Sequence, residues 1–110
     1  MQIVVTGRHG HLTPEQHSEI ESKVNKLLHY FNRVEAITVT VDLHNGSSPF
    51  LVEVQLNAEH KHDFVAKESN HDLHVAVDAA VAKMEQQIRK YKERIQNHHR
   101  TPARGDQPGL

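Results

Sequence analysis

The feature that most constrains this chain is a change of hydrophobic period that occurs twice along it. From Ile20 the apolar residues Val24, Leu27, Leu28 and Phe31 recur at helical spacing, one stripe on a helix that spans roughly five turns when counted from its start near Thr13. After Arg33 the period drops to two. Ile37, Val39, Val41 and Leu43 alternate with Thr38, Thr40, Asp42 and His44, and Val52, Val54, Leu56 and Ala58 alternate with Glu53, Gln55 and Asn57. From Leu73 the helical period returns, through Val77, Ala80, Val81, Met84, Ile88, Tyr91 and Ile95. A segment patterned for one period cannot bury its apolar side in the other form, so the two changes set the order of elements.

Local signals place the ends of those elements. Gln2–Thr6, bounded by Gly7, is predicted to be a first strand. Thr13-Pro14-Glu15-Gln16 opens the first helix, with Thr13 as N-cap, Pro14 in the first turn and Gln16 closing a capping box. Asn45-Gly46-Ser47-Ser48-Pro49 is a turn between the two alternating runs. His62–Lys67 is a fourth strand, and Ser69 or Asn70 is expected to cap a second helix running to about Gln96. The expected fold is therefore α+β: a two-layer β-α-β-β-β-α arrangement, a four-stranded sheet with two helices packed on one face. Residues 97–110, with two prolines, two glycines and few apolar side chains, are expected to form a flexible polar tail.

Composition narrows function mainly by exclusion. There is no cysteine, hence no disulfide frame, thiolate metal site or thiol nucleophile. No apolar run approaches the roughly 18–20 residues that cross a bilayer, and no leader pattern is expected at the N-terminus. A cytoplasmic location fits these features. Gly7-Arg8-His9-Gly10 matches no phosphate-binding glycine loop, and no nucleophile motif is present, so no enzyme activity and no cofactor are expected. Eleven histidines invite a metal reading, but the pairs His9/His11, His60/His62 and His98/His99 lack the spacing of a ligand set, and no metal site is expected.

Charge is more informative in its distribution than in its sum of −1. From Lys83 to Arg104 seven Lys or Arg residues face only Glu85 and Glu93. Lys83, Gln87, Lys90 and Arg94 fall four, three and four apart, one row beside the second helix's core stripe. The opposite flank mixes Asp78, Glu85, Arg89 and Lys92. Lys23, Lys26, Tyr30 and Arg33 make a similar row on the first helix, with Glu19 upstream. Two helices on one sheet face would let such rows line a shared groove for nucleic acid, cations neutralising phosphates while Gln87 and Tyr30 bond or stack. A solvated polar face, or cations placed for the helix dipole, produces the same pattern. Asp78 is expected to be an exposed charge or to bond a neighbouring loop.

Several segments together resemble the ribosome hibernation-promoting factor family, which includes ribosome-associated translation inhibitors and carries the older label sigma-54 modulation protein. They are Met1-Gln2-Ile3 leading to Thr6-Gly7-Arg8, then Lys23-Val24-Asn25-Lys26-Leu27 with Tyr30-Phe31-Asn32-Arg33, then Asp72-Leu73-His74-Val75-Ala76-Val77-Asp78, and last Lys83-Met84-Glu85-Gln86-Gln87-Ile88-Arg89-Lys90-Tyr91-Lys92. The resemblance runs from Met1 to about Arg94. It implies a ribosome-binding domain over residues 1–96, similar in layout to double-stranded RNA-binding domains. It implies binding of the small ribosomal subunit and its 16S rRNA at the decoding region, where messenger and transfer RNA would sit. Translation is then inhibited under stress by occupancy.

The RNA-binding residues it implies are Arg8, Lys23, Lys26, Arg33, Lys83, Gln87, Arg89, Lys90, Lys92 and Arg94. Gln86 stands where the family commonly has arginine, and His74 where it commonly has tyrosine. The chain resembles the short class of the family, whose members act beside a ribosome modulation factor to make ribosome dimers, or inhibit without dimers. The alternative, from the older label, is a protein-interaction module that modulates a transcription factor.

Overall fold

The structure, a computed structural model, describes residues 2–29, 34–43, 49–58 and 62–100, with side chains, His62 aside, as far as Arg94. The elements run β1 (Gln2–Arg8), α1 (Pro14–Asn25), a 3-10 turn (Lys26–His29), β2 (Val34–Asp42), β3 (Phe50–Ala58), β4 (His62–Asn70) and α2 (Leu73–Arg100). The order is the expected β-α-β-β-β-α. The expected turn at 45–49 falls largely outside the described residues.

The four strands form one sheet in the order β1-β2-β3-β4, with β1 parallel to β2 and the other pairs antiparallel. The parallel pair requires a crossover, which α1 supplies. One face of the sheet is buried through Val5, Ile37, Val39, Val41, Val52, Val54, Leu56, Ala58 and Ala66. These join Ile20, Val24 and Leu27 from the first helical segment and Leu73, Ala76, Val77, Ala80, Val81, Met84 and Ile88 from α2 in a single core. Both helices therefore cover the same face, α1 over β1 and α2 over β3 and β4. The other face is open, with Val4, Thr38, Gln55 and Val65 side by side across the sheet.

Thr13 caps α1 as read from the sequence. Its Oγ1 accepts from the Gln16 N–H at 3.1 Å, and the Gln16 side chain accepts from the Thr13 N–H at 3.0 Å. The stripe expected to stay α-helical over five turns does not. The α-helix ends at Asn25, the backbone tightens to 3-10, and Leu27 is carried into the core. Phe31, the last residue of that stripe, lies outside the described residues.

Three boundaries move. β1 continues through Gly7 to Arg8, because Arg8 still pairs with Asp42. β4 continues to Asn70, since Ser69 and Asn70 pair with Leu51 and Phe50, and so neither caps α2. Asp72 is the cap instead: its Oδ1 accepts from the His74 N–H at 2.9 Å and from the Val75 N–H at 3.4 Å. The Asn70 side chain accepts from the Asp72 N–H at 2.8 Å and turns the chain into that cap. At the other end α2 runs to Arg100 rather than stopping at Gln96.

The loop after β1 is held by a polar pair. His9, at φ 66°, places Nδ1 2.6 Å from Oδ1 of the buried Asp42. Gly7 is needed here, because a Cβ would meet Leu43 Cδ1 at 3.0 Å and the Gly10 carbonyl at 3.2 Å.

Candidate nucleic-acid interface

The core stripe of α2 divides its polar residues into two flanks, and the structure shows what each flank meets. On one flank Lys83 Nζ donates to the Lys67 carbonyl at 3.3 Å and pairs with Glu68 at 3.2 Å. One turn on, Gln87 Nε2 donates to the Val65 carbonyl at 2.8 Å. Lys67 and Val65 belong to β4, an edge strand whose sole sheet neighbour is β3. This row therefore stands over the sheet edge, on the far side of α2 from α1. The expected groove shared by the Lys83 row and the first-helix row does not form; sequence spacing defines a flank but not its neighbour.

The opposite flank of α2 faces α1. Lys23 Nζ donates to Asp78 Oδ1 at 2.7 Å across 55 residues of sequence, and lies 3.9 Å from Glu19. His74 Nδ1 is 3.0 Å from the same Glu19 oxygen. The cleft between the helices here, lined by Gln16, Glu19, Ile20, Lys23, Leu73, His74 and Val77, leaves no room even for a water-sized ligand. Asp78 is exposed, one of the two roles expected for it, and the partner it bonds is Lys23 on α1 rather than a loop. Lys23 is only 19% exposed and partnered by two carboxylates, so its charge is largely offset in place.

Beyond Ile88 the character of α2 changes. Among its described side chains Ile88 is the last that is fully buried, and Tyr91 makes an edge-on contact to Phe64 at 5.5 Å. Arg89, Lys90, Lys92 and Arg94 are all exposed. At about 100° per residue they spread around the helix over roughly 8 Å of its length. Lys90 and Arg94 extend the flank of Lys83, while Arg89 and Lys92 extend that of Asp78, so both flanks become cationic together. Glu93 alone opposes them within the segment. No described carboxylate pairs with Arg89, Lys90 or Arg94. Lys26, also exposed, follows Lys23 on the 3-10 turn.

Of the remaining implied residues, Arg8 is described and is not brought to this segment. Arg8 alternates with Gly7 and lies with Gln2, Val4 and Thr6 on the open sheet face, away from the helices. Tyr30 and Arg33 lie outside the described residues. Glu19, His74 and Asp78 were missed as a unit, and only the charge signs at matching helix ends hint at it. Among the described residues no three His, Asp or Glu side chains converge on a common point, and no helix is long and apolar enough to cross a membrane.

The architecture is a small α+β domain, a four-stranded sheet with two helices on one face, and comparison with known proteins gives its family. The family model described as Sigma 54 modulation protein / S30EA ribosomal protein matches residues 3–96, and the chain belongs to that family. It is 22% identical over 98 residues to the ribosome hibernation promoting factor of Klebsiella oxytoca, covering 89% of this chain and all of that one. It is 38% identical over 89 residues to the ribosome hibernation promotion factor of Staphylococcus aureus (strain COL), covering 80% of this chain and 45% of that protein. The chain thus spans under half the length of that relative. Two solved structures share the fold. A ribosomal subunit interface protein from Coxiella burnetii superposes with TM-score 0.75 at 20% identity, covering 84% of this chain and 99% of that one. The N-terminal domain of Protein Y from Thermus thermophilus does so with TM-score 0.71 at 24% identity, covering 83% and 99%.

Proposed function

We propose that this chain is a ribosome hibernation factor that binds the small ribosomal subunit through its 16S rRNA at the decoding region and blocks messenger and transfer RNA there. The observation that carries the reading is the cationic segment Arg89–Arg94, exposed past the end of the core in a chain whose net charge is −1. A chain without general basic character has no reason to attract nucleic acid everywhere, so concentration of cations on one projecting helix defines one docking element. The names of the two curated relatives support the ribosomal partner.

In this reading Arg89, Lys90, Lys92 and Arg94 neutralise phosphates directly, with Lys26 and Arg8 contributing from other parts of the surface and Arg33 adding a further cation. Lys23, Lys83 and Gln87 act chiefly by holding α2 against α1 and β4, so that the cationic segment is presented at a defined angle. Inhibition follows from occupancy and needs no chemical step.

The test is co-sedimentation of purified protein with isolated small subunits at low and high salt, with messenger RNA and initiator transfer RNA as competitors. Stoichiometric binding that weakens steeply with salt and is displaced by those competitors is expected. Binding that ignores salt and competitors overturns the reading. Retention of a protein partner after nuclease and high-salt washing would favour transcription-factor modulation instead.

A further inference from the structure

The sheet has two edges, and the molecule treats them differently. The β4 edge is covered: Lys83 and Gln87 bond the carbonyls of Lys67 and Val65. Among the described residues no side chain bonds the outer edge of β1. That matters because a bare strand edge is a template for another strand, and native proteins usually blunt it with charge or cover. β1 has one charged residue, Arg8, at its end.

The groups that β1 turns outward can be identified. The Leu43 N–H donates to the Arg8 carbonyl at 2.7 Å, so Arg8 faces its backbone groups toward β2. Direction alternates along a strand. Gln2, Val4, Thr6 and Arg8 therefore bond β2, and the N–H and C=O of Ile3, Val5 and Gly7 point away from the sheet. Next to them, between β1 and α1, is an open cleft of about 410 Å³ lined by Ile3, Ser18, Glu21, Ser22 and Asn25.

We propose that β1 is a self-association edge, pairing antiparallel with β1 of a second copy about a two-fold axis at Val5. The sequence of β1 is self-complementary in that register. Val5 faces Val5, and Ile3 faces Gly7, a large side chain beside a residue that has none. These pairs use every outward group of β1 and form about six backbone hydrogen bonds, against about four when the register slips by two residues. On the open face Val4 meets Thr6 and Gln2 meets Arg8, so no like charges oppose. The short side chains of Ser18, Ser22 and Asn25 leave space beside the added strand. The pairing does not depend on the RNA-binding reading. It uses the edge opposite α2 and leaves Arg89–Arg94 uncovered.

Sedimentation of the full chain from about 10 μM to about 1 mM, the range of weak association, is expected to show a monomer passing to a dimer. Amide exchange at Ile3, Val5 and Gly7 should slow with concentration, while Val4 and Thr6 remain protected throughout. Ser22→Glu places a like charge on each copy at an exposed helical position and should weaken the dimer by about tenfold. Ile3→Pro removes an outward N–H that no β2 bond uses and should weaken it similarly. A monomer at every concentration overturns the proposal. So does a dimer indifferent to both variants, or concentration-dependent protection confined to other residues.

Discussion

The two parts of α2 use the same residue types to different ends. From Leu73 to Ile88 each long polar side chain with a described contact is engaged within the fold: His74 with Glu19, Asp78 with Lys23, Lys83 with Glu68 and a β4 carbonyl, Gln87 with another. From Arg89 to Arg94 the helix has passed the last fully buried residue among those described, and its cations surround the axis. A lysine over a strand edge helps define the sheet; Lys90, two turns later, is exposed and has no described carboxylate partner. The lesson is that charge on a helix acquires its role from what lies beside it.

The largest effect should come from breaking the proximal part at its core. Met84 and Ile88 have no exposed surface, so Met84→Asp or Ile88→Asp buries an unpaired charge and should cost about 4 kcal/mol or more, abolishing cooperative thermal unfolding. Reversing the distal part comes next. Arg89→Glu, Lys90→Glu and Arg94→Glu together should weaken small-subunit binding on the order of 100-fold, since several phosphate contacts are lost at once. The thermal midpoint should stay within a degree or two of the parent, because none of the three packs in the core. A triple variant that binds normally would dissolve the contrast between the two parts.

Removing Lys83 and Gln87 with alanine should do the converse. Two bonds to β4 carbonyls are lost, and stability should fall by about 1–2 kcal/mol in denaturant titration. Binding should fall less than in the distal triple variant. The smallest effect is expected from Asp78→Asn. It releases Lys23 from its nearest carboxylate, which is itself largely exposed, while Glu19 remains nearby, so stability should change by about 0.5 kcal/mol or less. Affinity for small subunits should rise roughly twofold to threefold as one cation becomes available. A fall in affinity would show that Asp78 positions Lys23 for RNA instead of masking it.

Element type and order were legible because period and capping are local properties. The Thr13–Gln16 box and the alternation of Ile37–Val41 could each be read within a few residues. The cap at Asp72 was misplaced for a related reason. Ser69 and Asn70 have good capping side chains, but their backbones are drawn into β4 by Leu51 and Phe50 on another strand. The end of the first α-helix was missed in the same way. Helical spacing of Leu27 and Leu28 does not distinguish an α-helical from a 3-10 turn when packing selects between them.

The candidate site was legible as a set of residues, not as an arrangement. The spacing of Lys83, Gln87, Lys90 and Arg94 does make one row. Nothing in that spacing says that its first two members meet a strand edge and its last two do not, because that depends on where β4 ends and the core stops. By itself the sequence determined the elements, their order, the buried stripes and the concentration of cations near the end of α2, all of which follow from short-range pattern and composition. Tertiary structure alone decided the strand order, the tie between Lys23 and Asp78, the His9–Asp42 clasp across 33 residues, the covered β4 edge and a β1 edge that no described side chain bonds. Those depend on which surfaces packing brings together, and no local pattern encodes the neighbour a side chain will meet.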